Sequence, residues 1–137
     1  MSYTKTIQIE FNHCDPAGIV FYPRYFEMTN SVVENFFADE IERSFAQMHN
    51  DGMKNGVPTV HIEADFVAPS RLGDKVDFTL VVRKLGGSSV AVEMTGRMGD
   101  EVRMRARITL VWIDNMKAAR WPEAMRARLA AHLEEAA

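Results

Sequence analysis

The stretch FNHCDPAGIVFYPRYF, from Phe11 to Phe26, joins two different periodicities. Upstream, Ile7, Ile9 and Phe11 alternate with Thr6, Gln8 and Glu10, the period of a half-buried strand, which predicts a first strand from Tyr3 to Phe11. Downstream, Pro23 suits a first helical position, because its φ is already helical and its missing N–H would be unpaired there anyway. A helix running to about Phe37 puts Tyr25, Met28, Val32 and Phe36 on one stripe, with Phe26, Val33 and Phe37 beside it and Arg24, Glu27, Ser31 and Glu34 opposite. So apolar a face needs a sheet to cover it. Between strand and helix stands Asp15, followed by Pro16, Gly18 and the aromatic pair Phe21 and Tyr22. An acid in such a loop is either a turn residue or a carboxylate aimed at a ligand.

Working outward, the polar segment Asp39 to Gly56 predicts a short helix around Ser44 to His49, ended by Gly52 and Gly56. Four strand-like runs follow: Val57 to Val67, Lys75 to Lys84, Ser89 to Met98 and Glu101 to Asp114. LGGSS at Leu85 to Ser89, and Gly99 with Asp100, supply glycines where hairpins use positive φ, so the last three strands are expected as an antiparallel meander. On the last run Val102, Met104, Ala106, Ile108, Leu110 and Trp112 point one way; Arg103, Arg105 and Arg107 point the other, toward solvent or an anion. Pro122 opens a final helix with a narrow stripe of Met125, Leu129 and Leu133. The order implies an α+β fold, a twisted five-stranded antiparallel sheet wrapped around the long helix, in one domain spanning 1–137.

Composition narrows the function. With 47% hydrophobic and 26% charged residues, 137 residues suffice for one core without staples. A net charge of -3 offers no field for phosphate backbones, so nucleic acid is not an expected partner. Cys14 is the only cysteine, which excludes an intrachain disulfide and a cysteine zinc cluster, and a cytoplasmic setting is expected. No charged leader with an apolar stretch and no bilayer-length apolar run is visible, so neither export nor a membrane partner is expected.

The segment CDPAGIVFYPRYF, Cys14 to Phe26, resembles the signature loop and helix start of the 4-hydroxybenzoyl-CoA thioesterase family of hotdog-fold proteins. GVPTVHIEADFVAPSRLGD, Gly56 to Asp74, resembles that family's second strand and its turn into the third, and the element order matches along nearly the whole chain. The resemblance implies acyl-CoA thioester hydrolysis, dimers joined sheet edge to sheet edge and assembling to tetramers, and no metal or cofactor besides the coenzyme A of the substrate. It implies that Asp15 acts on the thioester carbonyl as nucleophile or base, and that Tyr22 donates its backbone N–H to the carbonyl oxygen. It places substrate contacts at Phe21 and Tyr25 and, in the second strand, at Pro58, Thr59 and His61.

That chemistry is sound on its own terms. A thioester carbon is electrophilic and its thiolate leaves readily, so an oriented carboxylate plus an anion-stabilising helix N-terminus can suffice. Cys14, with only His13 beside it, reads as a small packed residue, and His49 and His132 as surface residues. Glu63 and Asp65 fit a solvated or interfacial face, and the methionines at 28, 48, 53, 94 and 104 fit core filling. Relatives often carry basic residues at the hairpin after the third strand, whereas here RKLGGSS has a glycine and serine tip. The coenzyme A phosphates are therefore expected at Arg83, Lys84, Arg71 or the glycine turn, and an acyl-carrier protein stays open as the carrier. Two other activities stay open: a hydratase or dehydratase using His61 and Glu63, and a non-catalytic acyl-binding module.

Overall fold

The computed structural model describes residues 1–50, 52 and 54–134. In chain order the elements are β1 (Tyr3–Gln8), α1 (Arg24–Asp39), α2 (Phe45–His49), β2 (Asn55–Gly56), β3 (Thr59–Phe66), β4 (Lys75–Leu85), β5 (Ser89–Met98), β6 (Glu101–Val111), β7 (Ile113–Asp114), β8 (Lys117–Ala118) and α3 (Glu123–Ala131). Five strands form an antiparallel sheet in the order β1-β4-β5-β6-β3, and β2, β7 and β8 form a small second sheet. The meander of β4, β5 and β6 is the one the turn chemistry predicts, with β1 on one edge and β3 on the other.

Its two turns use glycine differently. Gly99 has φ +60, the left-handed conformation a two-residue turn demands. Neither Gly86 nor Gly87 adopts positive φ. At Gly86 the reason is close approach: its N–H donates to the Ser89 carbonyl at 2.8 Å, and a Cβ there would lie 2.5 Å from Ser89 Oγ.

The stripe of α1 is buried at Tyr25, Met28, Thr29, Val32, Val33, Phe36 and Phe37. These side chains share one core with Phe78 and Leu80 of β4, Val92 and Met94 of β5, and Ile108 and Leu110 of β6. Trp121 stacks on Phe37 and leans on Trp112, closing the core beneath Met125 and Leu129 of α3. Met28, Met48, Met94 and Met104 are buried fillers, as expected of methionine; Met53 lies outside the described residues.

Five expectations are corrected. The first strand ends at Gln8, because the Glu10 N–H donates to His13 Nδ1 at 2.8 Å and winds Phe11–His13 into a 3-10 turn that leaves Phe11 85% exposed. The last long strand stops at Val111, and its continuation crosses to the small sheet as β7. Arg103 does not share the outer face of Arg105 and Arg107. Gly96 pairs with Met104 but Arg97 with Val102, so Arg103 is bulged out of the ladder and its side chain turns inward. His132 is buried rather than superficial, edge-on to Phe36, with Nδ1 3.2 Å from the Met1 carbonyl. Leu133 falls beyond α3, where the chain bridges Val82, so the helix stripe ends at Leu129. His49 is exposed, as expected.

Candidate active site

The segment after the 3-10 turn doubles back on itself. Cys14 pairs with Val20, the Asp15 N–H donates to the Ile19 carbonyl at 3.0 Å, and the Phe21 N–H to the His13 carbonyl at 2.9 Å. Gly18, at φ +80, makes the reversal and donates its N–H to the Asp15 carbonyl at 2.9 Å. Asp15, half-buried, is held at the throat of this loop, where its Oδ1 accepts the Ala17 N–H at 2.9 Å. That is an Asx turn, and it uses one carboxylate oxygen. Among the described residues nothing donates to the other oxygen. The Cys14 thiol points to the Glu10 carbonyl at 3.6 Å, and His13 Nδ1 is occupied by the Glu10 N–H.

The start of α1 follows directly. The N–H groups of Arg24, Tyr25 and Phe26 donate to the carbonyls of Phe21, Tyr22 and Pro23 at 2.9, 3.1 and 3.1 Å. The Tyr22 N–H is different: among the described residues it has no acceptor. It is a spare donor at the positive end of a helix. The rings of Phe21 and Tyr22 are about half exposed and touch edge to face. Phe66, at the end of β3, gathers this side of the molecule, with its ring 5.7 Å from Tyr22, 5.6 Å from Tyr25 and 6.1 Å from Phe26. Sequence reasoning placed Phe66 only within the strand-like run from Val57 to Val67; its signal was the one large aromatic in that run.

Behind the loop lies a buried polar layer. Tyr25 is buried, and its hydroxyl donates to Ser70 Oγ at 2.9 Å. The Val20 N–H donates to the Ser70 carbonyl at 2.9 Å, and Ile19 bridges Arg71. Asp74 accepts from Arg103 Nη1 at 2.8 Å and from the Arg71 N–H at 2.9 Å. These two bonds, with the Arg103 charge, hold the Asp74 carboxyl below the usual aspartate range. Ser70 and the pairing role of Asp74 went unread in the sequence, and Arg103 was placed on the outer face, since a bulge is invisible to strict alternation.

An apolar groove of about 280 Å³ runs between α1 and β3, lined by Phe26, Thr29, Asn30, Val33, Thr59 and Ile62. It adjoins a cavity of about 300 Å³ that includes Pro58, Thr59 and His49. Pro58 and Thr59 stand at the start of β3, however, and the Asp15 loop meets the strand at its end. Seven residues of strand separate Thr59 from Phe66, roughly 23 Å at the usual rise. His61 is on the other face of β3, 2.9 Å from Glu63, and does not line the groove. The basic candidates also divide. Arg71 is exposed beside the Asp15 loop, whereas Arg83, paired with Glu93, and Lys84 lie at the far end of β4, on the order of 30 Å away along the strand.

A five-stranded antiparallel sheet around one apolar helix is the hotdog architecture of α+β proteins. The chain belongs to the thioesterase-like superfamily, whose family model matches residues 9–129. It is 26% identical over 116 residues to a 1,4-dihydroxy-2-naphthoyl-CoA hydrolase of Nostoc punctiforme, covering 83% of this chain and 76% of that protein. It is 29% identical over 83 residues to a 4-hydroxybenzoyl-CoA thioesterase of Pseudomonas sp. strain CBS-3, covering 61% and 59%. Among solved structures, a gentisyl-coenzyme A thioesterase superposes with a TM-score of 0.83 at 25% identity, over 93% of this chain and 99% of the other. A 1,4-dihydroxy-2-naphthoyl-CoA thioesterase from Synechocystis, at 21% identity and TM-score 0.86, shares the fold over 95% and 96%.

The buried pair behind the loop has a pH signature. Because the folded Asp74 carboxyl is depressed, its contribution is full above the ordinary aspartate range and is lost as pH falls through the folded value. Denaturant unfolding should show a stability gap between the protein and Asp74→Asn that is constant from pH 7 to about pH 5 and shrinks below about pH 4. A gap indifferent to acid would contradict the pairing.

Proposed function

We propose that this chain hydrolyses aromatic acyl-CoA thioesters to the free acid and coenzyme A. One observation carries the reading: a carboxylate with one oxygen fixed by Ala17 and the other unengaged shares a short loop with the spare Tyr22 N–H. The relatives named above, which act on 4-hydroxybenzoyl-, gentisyl- and dihydroxynaphthoyl-CoA, support the aromatic acyl group. The Tyr22 N–H polarises the carbonyl oxygen and takes up the charge that develops on it; removing one such donor typically costs about 10² to 10³ in rate. Asp15 either attacks the carbonyl carbon, forming a mixed anhydride that water then opens to the free acid and the restored carboxylate, or takes a proton from a water that attacks in its place. In both routes the C–S bond breaks with the electron pair on sulfur, and the thiolate leaves without needing a strong acid. Coenzyme A enters as part of the substrate. The hydratase alternative needs His61 and Glu63 in the groove, and both lie on the opposite face of β3.

The working unit we propose is a dimer, which the resemblance extends to a tetramer. Every residue of β3 except Ala64 is exposed, including Val60, Ile62 and Phe66, and among the described residues its outer edge has no neighbouring strand. An unpaired apolar edge invites a second copy. Antiparallel pairing of two β3 strands about a two-fold axis lays the partner's Pro58 and Thr59 across Phe66 and the Asp15 loop. The separation within one chain is thereby closed between chains.

Asp15→Asn keeps an oxygen for the Ala17 N–H, so the fold should survive. Thiol release from 4-hydroxybenzoyl-CoA is expected to fall by at least about a hundredfold, because an amide neither attacks nor accepts a proton. Near-normal release would sink the assignment.

Arg71 is the basic residue beside the loop, and we assign it the nearer coenzyme A phosphate contact. Arg71→Ala should raise KM with little change in kcat, and KM of the unaltered protein should climb with salt. Arg83→Ala/Lys84→Ala should raise KM only if a second copy brings that end of β4 to the same site. Unchanged KM in both variants and at high salt, with a pantetheine thioester equally good, would rule out recognition of the nucleotide.

A further inference from the structure

Arg103 is a buried cation with no part in the proposed chemistry, and such a charge is costly unless its partners are all in place. Its carbonyl accepts the Val67 and Ala68 N–H groups at 2.9 and 3.2 Å. Its Nη1 donates to the Pro69 carbonyl at 3.2 Å, Ser70 Oγ at 3.1 Å and Asp74 Oδ2 at 2.8 Å. Its Nε, also buried, forms an ion pair with the exposed Glu101 carboxylate at 2.6 Å. One bulged residue therefore grips the connection between β3 and β4 from end to end.

Ser70, fully buried, passes that grip to the site. Its Oγ accepts the Tyr25 hydroxyl and its carbonyl accepts the Val20 N–H. Tyr22 lies in the chain between these two anchors, and Asp15 is tied to the first through the pairing of Cys14 with Val20. We propose that Arg103 is the positioning residue of this site: acting through Ser70, it sets the Tyr22 amide relative to the Asp15 carboxylate. The kinetic part of the claim rests on the thioesterase reading; the part about loop order does not. Evidence for the second must come from a measurement that needs no turnover.

Arg103→Met keeps the side-chain length and removes the charge and every donor. A displacement of about 1 Å at a reacting group can cost roughly a hundredfold, so kcat should fall by about that factor while KM stays within about twofold. Amide hydrogen exchange at Val20 should quicken about tenfold or more, with Val92 in β5 unchanged. Arg103→Lys, which can still donate to Ser70 or Asp74, should recover about a tenth or more of kcat and part of the Val20 protection. Arg105→Met, on the exposed face of the same strand, should match the unaltered protein in both readouts. If Arg103→Met fails to fold, Arg103→Lys and Ser70→Ala are read instead, each expected to quicken Val20 over Val92 and to lower kcat over KM. Retained kcat in Arg103→Met, with Asp15→Asn inactive, overturns the proposal and leaves the thioesterase reading standing. Equal acceleration at Val20 and Val92 also overturns it, because that is general destabilisation. If the unaltered protein released no thiol, the thioesterase reading would fall and the exchange result alone would decide the positioning claim.

Discussion

Among the described residues, β3 is the edge strand that stays exposed along nearly its whole length, and the candidate site is laid out along it. The apolar stripe of α1 is matched by β4, β5 and β6, and β3 is left at the rim with both faces and one edge exposed. Burying one large apolar side chain contributes about 1.5–3 kcal/mol, so Val60, Ile62 and Phe66 together offer a second copy a substantial stabilisation before any ladder bond forms. The same edge divides the candidate site. The acid and the spare amide are at one end of β3, and the groove wall of Pro58 and Thr59 is at the other.

The second organising feature is the seam where the loop of Asp15 lies against the β3–β4 connection. Backbone pairing joins Ile19 to Arg71 and Ile9 to Gly73 and Asp74, and the buried side chains of Tyr25, Ser70 and Arg103, with the half-buried Asp74, fill the space behind. A loop built this way is rigid where loops are usually mobile, which suits chemistry that depends on orientation rather than on a strong acid or a metal. Hydrogen bonds in so sheltered a layer are strong, and those joining Tyr25, Ser70, Arg103 and Asp74 help to hold the loop in one place.

Much of this was legible in the sequence, for identifiable reasons. The stripe of Tyr25, Met28, Val32 and Phe36 on α1 and the alternation of β6 from Met104 to Leu110 are long and regular, and both match the buried residues. The Asp15 loop stood out because Asp-Pro, glycine and adjacent aromatics fall between two clear periodicities. What escaped were departures from periodicity. Phe11 continued the pattern of Ile7 and Ile9, yet the local bond between Glu10 and His13 wound the chain away. Arg103 alternated correctly with Met104 on paper, and a single bulge opposite Gly96 turned it inward. His132 lies past a weakly amphipathic helix, where only the packing of the chain ends against Phe36 decides burial. The separation of Thr59 from Asp15 could not be read either, since it depends on which end of β3 meets the loop.

Complementation between two inactive variants tests the shared site most directly. Asp15→Asn removes the acid, and Thr59→Arg fills the groove wall; each is expected to be inactive as a pure protein. Mixed, refolded together and assayed for thiol release, half of the dimers carry one intact site, so about a quarter of the original turnover should return. No recovery, in a mixture shown by mass to contain the heterodimer, would place Asp15 and Thr59 in the same site of a single chain and contradict the account.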